Sequence, residues 1–177
     1  MRRAGTPPRH YVRDAAQADL EAVLATKAAA WREAYGPYRD EAFFAAAERT
    51  LPQQLEHWRT ELARGTALWL AEDAGGRCVG LAAAGAPRER GGALPPGLPG
   101  LELSALYVLA EAHGTGVADA LLERAIGRQA CLVWVVTANE RARAFYRRHG
   151  FVDHGDPAPM SGPWAGLDEQ LMVRRGA

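Results

Sequence analysis

Tyr146, Glu102, Asn139 and the turn His113-Gly114-Thr115-Gly116 are the residues whose types and spacing could do chemistry. A tyrosine hydroxyl, with a reference pKa of ~10, is protonated at neutral pH and can give its proton to a leaving group. A glutamate carboxylate can take a proton from an attacking nucleophile. Gly114 and Gly116 stand just before a segment with Val117, Ala118, Leu121, Leu122 and Ala125 on one helical face. A helix N-terminus carries unpaired N–H groups and partial positive charge, and glycines let the backbone approach a phosphate closely. This turn could therefore cradle an anion, although glycine pairs at strand–helix turns often do no more than turn the chain. No Lys-Ser/Thr follows, so it is not a Walker loop. It also lacks the three-glycine dinucleotide fingerprint, and the next strand ends Val135-Val136-Thr137 without the acidic residue a ribose requires. Structural alternatives stand beside each assignment. Tyr146 next to Phe145 could be a core aromatic, Asn139 a helix-start residue, and Glu102 a solvated one.

The elements that must hold these residues follow from periodicity. Tyr11–Arg13 reads as a first strand. Leu20, Val23, Leu24, Trp31 and Tyr35 recur at helical spacing up to Gly36-Pro37. Asp40 can cap a short helix through Phe43 and Phe44, and Pro52 opens another that Gly65 ends. Ala67–Ala71 and Cys78–Ala83 read as a hairpin around Ala74-Gly-Gly-Arg77. Residues 85–100 form a loop with nine Gly or Pro among sixteen. Leu101–Val108 is a strand, the segment from Val117 a helix, and Cys131–Val136 an unbroken apolar strand of the kind covered on both faces. Thr137 and Glu140 match a capping box for a helix ending at Gly150, where a left-handed C-cap belongs. Phe151-Val152 starts a strand, Pro157–Gly166 is a loop, and Glu169–Arg174 is a last strand. The order predicts a mixed sheet with helices packed on it.

Composition narrows the functions. Twenty-one basic residues balance twenty-one acidic ones, which argues against a nucleic-acid binder that works by bulk electrostatics. At 177 residues the chain is expected to be one domain, residues 10–177, behind a flexible tail at 1–9. The tail begins with basic residues, but no apolar run follows, so it does not read as a signal peptide. No segment approaches the ~18 apolar residues of a membrane span. Cys78 and Cys131 lack metal or CxxC spacing and read as free thiols in a reducing, cytoplasmic compartment. No metal site is called for. His10, His57 and His154 have no evident partner.

The joint spacing resembles the Gcn5-related N-acetyltransferase (GNAT) superfamily. That family's central motif, Arg/Gln-x-x-Gly-x-Gly/Ala, stands here as His113-x-x-Gly116-x-Ala118. Its second motif, Asn-x-x-Ala-x-x-Phe-Tyr-x-x-x-Gly-Phe, is intact from Asn139 to Phe151. Trp31-Arg-Glu-Ala-Tyr35 also looks family-like. The resemblance implies an α/β (α+β) fold: a mixed, mostly antiparallel sheet of six to seven strands with helices on both faces. The sheet should splay between its fourth and fifth strands, with a bulge in the strand that holds Leu106, Tyr107 and Val108. It implies acetyl transfer from acetyl-CoA to a primary amine of a small molecule or peptide, by direct attack. The backbone of Leu106–Val108 would bind pantetheine, with Asn139 on the same arm. His113 and the amides of Gly114, Gly116, Val117 and Ala118 would hold the pyrophosphate. Tyr146 would protonate the thiolate, and Glu102, eleven residues before His113 as in histone-type members, would be the base. An amide at Val108 or a neighbour would stabilise the oxyanion. Trp31, Tyr35, Tyr38 and Trp164 are the acceptor-site candidates, with Asp40 or Glu33 available to attract a cationic amine. His113 replaces the family's Arg or Gln and loses a fixed charge. That departure leaves two other readings open, a non-catalytic acyl-CoA-binding or regulatory module and a transferase for a larger acyl group. Homodimers are common in the family, and the sequence specifies no interface.

Overall fold

The computed structural model describes residues 10–88 and 96–176. The tail at 1–9 and residues 89–95 of the glycine- and proline-rich loop lie outside them. The strands are β1 (His10–Asp14), β2 (Leu68–Asp73), β3 (Cys78–Gly85), β4 (Glu102–Val108), β5 (Cys131–Val136), β6 (Val152–Asp153), β7 (Ala158–Pro159) and β8 (Asp168–Arg174). They form one sheet in the order β1-β2-β3-β4-β5-β8-β6, with β7 paired to β8. All pairings are antiparallel except β4 with β5. This is the expected mixed sheet. The count exceeds six or seven because β6 and β7 are two-residue pieces at the β8 edge.

The helices are α1 (Leu20–Tyr35), α2 (Glu41–Glu48), α3 (Leu51–Ala63), α4 (Val117–Ile126) and α5 (Glu140–Arg148). They cover both sheet faces, and alternation along β2 shows how. Leu68 and Leu70 pack with Leu20 and Val23 of α1. Trp69 and Ala71 point the other way and pack with Val117, Leu121 and Leu122 of α4. The two apolar stripes therefore bury against opposite faces, and β3 between them is buried from Cys78 to Ala83. Both cysteines are free and buried.

Local signals set the helix ends. The Asp40 carboxylate accepts from the Phe43 amide at 3.0 Å, the cap that the sequence predicts. Pro52 sits in the first turn of α3. Gly150 follows α5 at φ +81°, the left-handed conformation that glycine tolerates best. The start of α5 differs from expectation. Thr137 does not cap it, because its amide and hydroxyl both donate to the Asp168 carbonyl, at 2.9 and 3.1 Å, which keeps it beside β8. Asn139 is the cap instead, its side-chain oxygen accepting from the Ala142 amide at 3.1 Å.

Candidate active site

The site is an opening in the sheet. β4 and β5 pair only at Glu102 with Leu132, and the Leu132 amide donates to the Leu101 carbonyl at 2.9 Å. Beyond that point the strands part. On one side, β5 is held to β8 over all six of its residues. On the other, β4 follows β3 through a bulge: Ala105 faces Ala83 and Leu103 faces Ala84, so Ser104 is the extra residue. A bulge sharpens local twist, and here it turns the C-terminal half of β4 away from β5. The bulge lies just before Leu106–Val108.

The Leu109 amide donates to the Val79 carbonyl at 2.9 Å. Amide directions alternate along a strand, so the Leu106 and Val108 amides turn from β3 toward the opening. They are thus donors with no strand opposite. A cavity of about 350 Å³ fills this opening. Leu106, Tyr107, Val108, His113, Ala118, Asn139, Tyr146 and Tyr35 all line it. Gly114, Gly116 and Val117 form the turn just beyond. Gly114 (φ +74°) and Gly116 (φ +87°) both adopt left-handed conformations, and nothing lies within 4 Å of where a Cβ would project. The turn is open, its backbone is bare, and it leads into α4. These are the features an anion cradle needs.

Tyr146 is 6% exposed and stands at the cavity wall against Phe145 and Phe151. Burial pushes its hydroxyl well above the usual tyrosine range, with Tyr107 and Tyr35 adding to the effect. Burial also raises Tyr35, against a hydrogen bond from the Asn139 side chain. Both phenols therefore hold their protons at neutral pH. His113 turns back onto its own strand: Nε2 lies 2.8 Å from the Val108 carbonyl, which can only accept, so the ring donates there. Burial, and then Arg141, lower its pKa, so it is neutral at pH 7.

Glu102 is set apart from this group. It is 0% exposed and does not line the cavity. One carboxylate oxygen accepts from the Arg88 amide at 2.7 Å and the other from the Arg88 guanidinium at 2.6 and 3.0 Å. Sequence spacing found its strand position but carried no sign of Arg88.

Of the acceptor-site candidates, three are brought together. The Trp164 ring lies 5.2 Å from Trp31, 5.0 Å from Tyr35 and 4.9 Å from Phe43. Tyr107 adds a further edge contact to Trp31 at 6.2 Å. Arg39 fastens the cluster by donating to the Trp164 and Ala165 carbonyls at 2.7 and 3.0 Å. Sequence reasoning missed Phe43 and Arg39 here. Tyr38 stands aside, 40% exposed, its hydroxyl donating to the Ala138 carbonyl. Both candidate carboxylates are engaged by backbone amides. Asp40 caps α2, and Glu33 lines the cavity with its carboxylate accepting from the Ala110 amide at 2.7 Å. Among the described residues, no group of three His, Cys, Asp or Glu could hold a metal ion, and no helix is long and apolar enough to cross a membrane.

Residues 64–153 match the family model of the acetyltransferase (GNAT) domain, a span of more than half of the chain. No curated protein sequence matches significantly. Solved structures match from end to end. The histone acetyltransferase HPA2 and related acetyltransferase from Corynebacterium glutamicum aligns at TM-score 0.71 and 24% identity, over 96% of this chain and 97% of that one. The PaiA N-acetyltransferase from Thermoplasma acidophilum, solved with coenzyme A, aligns at 0.65 and 17%, over 94% and 98%. A GNAT superfamily phosphinothricin acetyltransferase from Sinorhizobium meliloti, solved with AcCoA, aligns at 0.63 and 24%, over 96% and 89%. At these identities the likeness speaks to fold, and the family-model match adds the descent: the chain belongs to the GNAT acetyltransferases.

Proposed function

We propose that the protein transfers an acetyl group from acetyl-CoA to a primary amine of a small molecule or peptide, within one ternary complex. The observation that carries this reading is the opening between β4 and β5, where the Leu106 and Val108 amides face a cavity walled by Tyr146. Pantetheine lies in that opening as a partial extra strand, and Asn139 contacts the same arm. The amides of Gly114, Gly116, Val117 and Ala118 take the pyrophosphate. The amine nitrogen attacks the thioester carbonyl. A C–N bond forms and the C–S bond breaks, with the Val108 amide donating to the developing oxyanion. The thiolate takes the Tyr146 proton, which burial keeps on the hydroxyl until a strong base appears beside it.

Glu102 enters as an anchor for Arg88, because both carboxylate oxygens are engaged away from the cavity. The amine then arrives in its neutral form, its surplus proton leaves to water after attack, and water returns a proton to the Tyr146 phenolate. Acetyl-CoA-dependent thiol release against a panel of amines tests the reading. Release is expected with at least one amine, with kcat/KM rising toward the amine's own pKa. CoA binding with no transfer to any amine would replace the reading with a non-catalytic binding module.

A further inference from the structure

Resting on the CoA reading above, we infer that Arg141 is the cation that holds the CoA pyrophosphate in this chain, in place of the side chain at position 113. Two observations lead there. First, His113 is not available for an anion. Its Nε2 proton is committed to the Val108 carbonyl at 2.8 Å, so the ring braces the end of β4 rather than reaching the glycine turn. The ring is also neutral at pH 7, because burial and the neighbouring Arg141 both disfavour its charged form. The cradle is left with backbone amides and no side-chain charge from the motif.

Second, Arg141 lines the same cavity as His113 and Ala118, and it makes no hydrogen bond or ion pair among the described residues. Its neighbours on α5 differ. Arg143 pairs with Glu140 and Asp153, Arg147 pairs with Asp153, and Arg148 stacks over Phe145. Among the described residues Glu33 is the carboxylate that bears on Arg141, without a hydrogen bond to it, and one of its oxygens accepts from the Ala110 amide. Arg141 is exposed at the cavity mouth, and no protein group competes with an anion for its guanidinium among the described residues. A guanidinium presents a planar fork that fits two oxygens of a diphosphate. The cavity wall thus carries one guanidinium with no bonded partner among the described residues, on the same lining as His113 and as Ala118 at the start of α4.

The test is calorimetric titration of wild type, R141Q, R141K and R128Q with CoA and with acetyl-pantetheine, which lacks the pyrophosphate. R141Q is expected to raise the Kd for CoA by ~10–100-fold, the worth of a charged hydrogen-bonded contact, and to leave acetyl-pantetheine unchanged. R141K should recover part of the loss, and R128Q, a surface control, should bind like wild type. Equal CoA affinity in wild type and R141Q overturns the inference while the CoA reading stands. Equal loss for both ligands assigns Arg141 a structural role and also overturns it. No binding of either ligand by wild type overturns the CoA reading and the inference together.

Discussion

The two ends of the cavity are built on different principles. At the cofactor end the work falls to backbone: two strand amides freed by a bulge, and a turn whose glycines sit at φ +74° and +87°. At the end we propose for the acceptor it falls to side chains from distant segments: Tyr35 of α1 and Tyr107 of β4 on the cavity wall, with Trp31, Phe43 and Trp164 packed against them. Backbone chemistry depends on fold and tolerates much sequence change, so it can be shared across a superfamily. A side-chain cluster is specific to its own chain. On the proposed reading, the first end serves the donor and the second the acceptor.

Substitutions can sharpen this division. The largest effect is expected where the two ends meet. Y146F should lower kcat by ~10²–10⁴, the usual worth of a positioned proton donor, with CoA affinity kept. E102Q, in contrast, should cost less than about tenfold if Glu102 only anchors Arg88; a loss as large as that of Y146F would make Glu102 the base. Both are read by thiol release. Next comes G116A, which forces a side chain into a left-handed position and should cost about 1–2 kcal/mol in urea unfolding. It should weaken CoA binding and leave the acceptor KM alone.

W164A should do the reverse. It removes three ring contacts at the acceptor end, so the KM of whichever amine is turned over should rise about tenfold, each 1.4 kcal/mol being a factor of ten. The Kd of CoA should not move. A rise in both would mean that the two ends are not separable. The smallest effect concerns His113. Its folded pKa is lowered below the ordinary 6.5, so the unfolded chain binds the proton more readily. Stability is therefore fully present above the unfolded pKa and declines as pH falls through it. H113Q should flatten that decline between pH 7 and 5 in thermal melts.

The same division explains what could be read from sequence. Strand and helix positions followed from period and caps: Asp40, Gly150 and the apolar run Cys131–Val136 all signal locally. The lining of the opening was legible because two compact motifs, His113–Ala118 and Asn139–Phe151, mark the starts of α4 and α5 that flank it. Thr137 misled as a cap because its amide still belongs to the sheet, a long-range fact with no local signature. Glu102 was found by spacing, but its partner Arg88 lies fourteen residues away across a glycine- and proline-rich loop. Arg39 and Phe43 escaped notice because their contacts with Trp164 span more than a hundred residues. Arg141 escaped because what marks it is its place on the cavity wall with no bonded partner among the described residues, which only three dimensions reveal.

The central claim is that the opening between β4 and β5 binds acetyl-CoA. Thermal melts of wild type and of A118F, which fills the cavity wall, with acetyl-CoA and with NAD test it most directly. A ligand at ~100 times its Kd stabilises the folded state by about 2.7 kcal/mol. Wild type should show a shift of that size with acetyl-CoA and none with NAD, and A118F should melt cooperatively with no shift from either. An equal acetyl-CoA shift in A118F, or no shift in wild type, would contradict the account.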